Sequence, residues 1–103
     1  MSRRFFLSAP ASLDLDEILT YVLDGSGQDR AQQVADGLEE AFQKLADAPG
    51  LGHRREDLTS SPVLFFTVWS YLIIYKPNTK PLEVARVVHG ARDIESLLRD
   101  EPL

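Results

Sequence analysis

The order of segments along the chain predicts an α+β fold, a helical hairpin packed on a mainly antiparallel four-stranded sheet in the order βααβββα. Three observations carry this. Two stretches with apolar residues at helical spacing lie side by side, parted only by Gly25-Ser26-Gly27. After residue 62 the period changes to β-branched and aromatic runs separated by turn residues. At 103 residues there is room for one core, so 1–103 is read as one domain.

RRFFLS reads as a short first strand, closed by Ser8, a residue suited to cap a helix, with Pro10 tolerated in the first turn. In SAPASLDLDEILTYVLD, Ala11, Leu15, Ile18, Leu19 and Val22 form one stripe, with Asp14, Asp16, Glu17 and Asp24 expected to face water. A second helix starts near Gln28 or Asp29 and carries Ala31, Val34, Ala35, Leu38, Ala41, Phe42 and Leu45 to a stop at Pro49-Gly50. The short link makes the two helices antiparallel.

GLGHRREDLTSSP, residues 50–62, has the glycine, proline and polar content of a loop and is the best candidate for a mobile segment. Val63–Val68 and Tyr71–Lys76 form a hairpin whose tip, Trp69-Ser70, is unusually bulky. PNTKP turns the chain into LEVARVV, and Asp93 can cap a final helix through Leu98. VLFF and YLIIY are apolar on both sides of the pleat, as strands buried on both faces are. Two helices cover one face; the loop, the last helix or another molecule must cover the other.

Composition narrows the function. With 44% hydrophobic and 26% charged residues the chain is globular in character, and without cysteine it has no disulfide, thiolate zinc site or cysteine nucleophile. His53 and His89 belong to no zinc spacing, and GLG lacks the lysine of a phosphate loop, so no metal or cofactor is expected. The three apolar residues after Arg3-Arg4 are too few for a signal peptide, and the run 63–75 is too short and too interrupted for a membrane span; a cytoplasmic protein is expected. The net charge of −5 falls on the first half, where residues 1–49 hold nine acids against four bases, while residues 50–103 hold seven of each. A protein that grips phosphate backbones usually has a basic excess, so direct nucleic-acid binding is disfavoured.

A few residues stand out. RVVHGARD ends a buried strand with Arg86, His89 and Arg92, which either finish one element and start the next or present hydrogen-bond donors to a partner. Arg54 and Arg55 are an adjacent basic pair in the loop, either solvated charges or contacts. Trp69, at a tip that normally favours Gly, Asn or Asp, either folds back on the core or projects as a binding anchor.

Together these residues resemble a known family. LSAPASLDLDEILTYV is similar to the first helix of the RelE/ParE superfamily of bacterial type II toxins, PGLGHRREDL to its loop between helices and sheet, and YLIIYKP with ARVVHGARDI to its last two strands. The likeness covers nearly the whole chain. Members of the RelE type cleave messenger RNA on the ribosome with lysines and arginines on the sheet and a tyrosine near the C-terminus. At those positions this chain has Phe65, Phe66, Thr67, Leu72 and Leu98, and only Arg92 matches. Charge-stabilising donors are worth orders of magnitude each in such a reaction. The resemblance therefore implies the ParE-like branch: a non-catalytic toxin that inhibits DNA gyrase by binding and is neutralised by a cognate antitoxin, itself expected to carry basic residues where it touches this acidic chain. Two readings stay open beside it, a RelE-like ribosome-dependent nuclease and a non-toxic antitoxin-binding module. Arg54, Arg55, Trp69, Arg86, His89 and Arg92 are the candidate partner contacts.

Overall fold

The computed structural model describes residues 4–90 together with Ile94, Leu97 and Leu98. Strand β1 (Phe5–Leu7) leads into α1 (Ala9–Ser26) and α2 (Gln28–Asp47). A single 3-10 turn, Pro49–Leu51, precedes the loop, and β2 (Leu64–Val68), β3 (Tyr71–Lys76) and β4 (Leu82–His89) follow. The sheet order is β1-β4-β3-β2. β2, β3 and β4 are antiparallel neighbours, whereas β1 runs parallel to β4, so the sheet is mixed. Ile94, Leu97 and Leu98 are helical, as read for the last segment; Arg92 and Asp93 lie outside the described residues.

Local chemistry accounts for the joints. Ser8 caps α1 by accepting the Ala11 N–H at 3.1 Å, and its hydroxyl donates to the Ala85 carbonyl at 2.8 Å, so one side chain starts the helix and ties it to β4. α1 continues through Gly25 and Ser26 and breaks only at Gly27, whose φ of 89° lies in the left-handed region. That residue serves both helices: its N–H closes the last turn of α1 on Leu23, and its carbonyl accepts the Ala31 N–H of α2. The hairpin turns on one glycine.

The pleat sorts side chains into two cores. Tyr71, Ile73 and Tyr75 of β3 and Leu82, Val84 and Val87 of β4 face the helices, where Val34, Leu38, Ala41, Phe42 and Leu45 of α2 meet them. Phe5 completes this side, its ring 5.4 Å from that of Phe42. On the opposite face Phe65, Leu72, Ile74 and Val88 are covered by Val63 and Leu58 from the loop and by Ile94, Leu97 and Leu98. Of the three possible covers for the second face, the chain supplies its own, and no partner is needed to bury it. Among the described residues no helix is long and apolar enough to cross a membrane.

The loop expected to be mobile is pinned at its start. Tyr75 is fully buried; its hydroxyl donates to the Pro49 carbonyl at 2.6 Å and accepts the Gly52 N–H at 2.8 Å. Gly52 has no alternative here, since a Cβ would lie 2.7 Å from the phenol oxygen and 2.9 Å from the Phe65 carbonyl. His53 then pairs its backbone with Phe65 in both directions, at 2.9 and 2.8 Å. Burial raises the Tyr75 pKa above its ordinary value of 10.0, with the Gly52 N–H pulling the other way. An acid whose folded pKa is raised stabilises the fold below its unfolded pKa and loses that contribution as pH rises. Tyr75→Phe is therefore expected to cost about 1–3 kcal/mol at neutral pH by orphaning two backbone groups. It should also flatten the decline in stability above roughly pH 10, both read from urea denaturation between neutral and alkaline pH.

Candidate functional site

β1 ends at Leu7, but β4 runs on to His89, so the far half of β4 has no strand on that side. An exposed strand edge carries unpaired polar groups that need partners or cover. α1 supplies them from side chains. The Ser8 N–H and hydroxyl take the carbonyls of Val84 and Ala85, and the Asp14 carboxylate accepts the Val87 N–H at 3.0 Å. The same carboxylate meets Arg86 in a two-pronged pair, Nε to Oδ2 at 2.7 Å and the second terminal nitrogen to Oδ1 at 2.8 Å. A β-bulge opposite Ile74 and Tyr75 leaves Ala85 unpaired with β3 just before this arginine, a local kink of the kind that re-aims a side chain.

Both members of the pair are only 6% exposed. This corrects two expectations. Asp14 does not face water, because it fills the gap between α1 and the uncovered edge of β4. Arg86 is not a surface donor for a partner, because its guanidinium is occupied by Asp14 inside the fold.

Next to this closure lies a groove of about 350 Å³ between α1 and the end of β4, lined by Asp14, Glu17, Ile18, Tyr21, Tyr71, Val87, Val88 and His89. His89 is exposed at its mouth, its ring 5.6 Å from that of Tyr71 and nearly perpendicular to it. Tyr21 is 80% exposed. The walls are mostly apolar. Glu17 brings a carboxylate to the groove, and α1 as a whole carries Asp14, Asp16, Glu17 and Asp24 with no basic residue.

Of the two sequence readings of Trp69, the structure shows the fold-back: the indole lies against the fold and is left half exposed. It takes a φ of 54° at the tip of the β2–β3 hairpin, a conformation rare for a bulky residue, and its indole folds back across α2 while staying 57% exposed. The helix has made room: a Cβ on Gly37 would overlap the indole, 2.8 Å from Cζ3. Arg30 lies over the ring at 6.0 Å from its centroid.

Arg54 and Arg55 project from the loop, and each faces an acid two residues on. Arg54 is 3.8 Å from Glu56, and Arg55 grips Asp57 with two hydrogen bonds of 3.0 and 2.9 Å. That hydrogen bonding, with the charge of Asp57 beside it, raises the Arg55 pKa, and the same bond lowers that of Asp57. The six candidates do not converge. Trp69 and His89 share one end of the sheet, Arg86 is internal, the two loop arginines stand before β2, and Arg92 lies outside the described residues. Among the described residues no group of three His, Asp or Glu side chains comes together as metal ligands.

Sequence reasoning missed Asp14, Gly37 and the groove. A signal for Asp14 was present: it sits three residues after Ala11 and four before Ile18, on the apolar stripe itself. Breaking one side of a buried ion pair costs far more than the 0–1 kcal/mol of an exposed one. Asp14→Ala is expected to lose about 3–5 kcal/mol in urea denaturation, and an Asp14→Leu, Arg86→Met double replacement to regain part of it. For Gly37→Ala, the gain of about 1 kcal/mol in helix propensity is expected to be cancelled by collision with the indole. The emission of Trp69, the chain's single tryptophan, should shift to the red as the ring is pushed into water.

With the geometry in hand, comparison with known proteins is direct. Residues 5–94 match the family model described as ParE toxin of type II toxin-antitoxin system, parDE. The chain is 27% identical over 96 residues to Toxin ParE1 of Mycobacterium tuberculosis, covering 92% of this chain and 97% of that protein. It is 28% identical over 92 residues to Toxin ParE1 of Caulobacter vibrioides, covering 89% and 94%. A solved structure titled "Chromosomal ParDE TA system from P. aeruginosa" superposes with a TM-score of 0.68 over 84% of this chain and 95% of that one at 19% identity, a likeness of fold. Helical hairpin, mixed four-stranded sheet and family match agree: the chain belongs to the ParE toxin family, within the RelE/ParE superfamily.

Proposed function

We propose that this chain is a cytoplasmic toxin that inhibits DNA gyrase by binding to it, performs no bond-breaking chemistry of its own, and is neutralised by a cognate antitoxin. The observation that carries the reading is the character of the sheet where a ribosome-dependent nuclease of this superfamily would hold its charged residues. Leu72 and Leu98 are buried in the second core together with Phe65, and Phe66 is packed against the first. Cleavage through a 2′-hydroxyl needs its proton removed, the phosphate charge offset and the leaving oxygen protonated. Apolar side chains sealed in a core do none of these.

The groove beside α1 suits the antitoxin. Its apolar walls offer burial, and Glu17 with the unbalanced acids of α1 favours a segment that brings lysine or arginine to the rim. Such a segment gains from burial and gives some back on ordering. His89 at the mouth remains a candidate contact there, as do Arg54 and Arg55 for the target.

Induced expression, with and without the adjacent open reading frame, distinguishes the readings. Growth arrest accompanied by a DNA-damage response, and relieved by co-expression of the neighbour, is the expected result. Arrest with degradation of transcripts and no damage response would replace the gyrase reading by the nuclease one. Unimpaired growth while the neighbour still binds would make the chain a non-toxic module. Within the groove, Glu17→Lys is expected to weaken antitoxin binding by roughly tenfold or more in a titration of purified proteins, through reversal of a facing charge.

A further inference from the structure

Trp69 is held in an unusual backbone conformation with much of its ring in water. Its backbone is in the left-handed region at φ 54°, its ring is 57% exposed, and α2 keeps a glycine in mid-helix to accommodate it. Backbone strain of this kind persists where the surroundings enforce it and clusters at functional surfaces. A tip built only for the hairpin would carry Gly, Asn or Asp.

Arg30 supplies the second, independent observation. Among the described arginines, Arg4 meets Asp47, Arg54 meets Glu56, Arg55 meets Asp57 and Arg86 meets Asp14. Arg30 meets no carboxylate among the described residues. Its guanidinium instead lies 6.0 Å from the centre of the Trp69 ring, with one terminal nitrogen 3.3 Å from Gln33 Oε1. A guanidinium near an aromatic face keeps further N–H donors with which to take a carboxylate. Arg30 lines a hollow with Tyr21, Val22, Val34 and Tyr71, in which Asp24 is the one acid, so an incoming carboxylate is favoured on the Arg30 side and disfavoured on the Asp24 side.

We propose that Trp69 and Arg30 form a docking surface for a protein segment that places a carboxylate next to a bulky apolar side chain, the carboxylate on Arg30 and the apolar group against the indole. Charge decides the occupant's class. A single carboxylate is matched by one guanidinium that has no carboxylate partner among the described residues, while a phosphate backbone would bring many charges against the nine acids of residues 1–49. Trp, Tyr and Arg are also the residues that dominate protein–protein binding. This preference is the reverse of the α1 groove, which favours a basic segment, so the two surfaces take different partner segments. The inference stands whether or not gyrase is the target.

Selection of a randomised peptide library on the immobilised full chain tests this, followed by titration of the selected peptides against the fluorescence of Trp69. Among the enriched peptides, those that perturb the emission should carry Asp or Glu beside Trp, Phe, Leu or Pro. Binding should fall about tenfold with Arg30→Gln, an exposed helical substitution checked for folding by circular dichroism, and by a similar factor when the peptide acid is changed to its amide. The second comparison leaves the protein untouched, so it holds even if the variant misfolds. No enriched peptide that perturbs the emission, perturbation by basic or neutral peptides only, equal binding to Arg30→Gln and to the amide peptide, or comparable perturbation by a single-stranded oligonucleotide would overturn the proposal.

Discussion

The Asp14 carboxylate, shared between the Arg86 guanidinium and the Val87 N–H, is the contact on which the helical layer and the sheet depend together. β4 outlasts β1, and without this closure the strand would leave an uncovered edge under α1, with a buried arginine beside it. A carboxylate that accepts three hydrogen bonds, two of them from a charged fork, answers both problems from one side chain. It also fixes the rotation of α1. With Asp14 turned inward, Glu17, Ile18 and Tyr21 are carried to the groove, so the shape of the groove follows from the buried pair that borders it.

Much of this architecture is written in local pattern. The change from a helical period to β-branched and aromatic runs locates α2 and β3, whose signals are strong: a long apolar stripe bounded by glycine and proline, and YLIIYK between two turns. Longer-range features are not local properties. The parallel pairing of β1 with β4 joins segments more than seventy residues apart, and β1 shrinks to Phe5–Leu7 because that is the length lying alongside Leu82–Val84. The bulge at Ala85 and the cover of the second face by Leu58, Val63 and the last helical residues likewise arise only once the chain is folded.

The candidate residues show the same division. Trp69 was visible as an anomaly because it violates turn chemistry, yet its partner Gly37 looked like nothing more than a weak point in a helix. Arg86 looked like a contact because bases in apolar strands attract notice. The acid that neutralises it was hidden in DLDE, where three acids in four residues read as a solvated face. A carboxylate on an apolar stripe and a base in an apolar strand are best read as a pair, since each demands what the other offers.

Two surfaces stand out, an acidic helix flanking an apolar groove and an aromatic tip beside an arginine that meets no described carboxylate. The proposed function is a grip on protein through such surfaces, with the buried arginine of the sheet, Arg86, already paired to Asp14. Supercoiling of relaxed plasmid by purified gyrase, titrated with the purified chain, tests that claim most directly. Loss of supercoiling as the chain approaches gyrase in concentration, with ribosome-bound messenger RNA left intact in parallel, is the predicted outcome; undisturbed supercoiling together with cleaved message would contradict it.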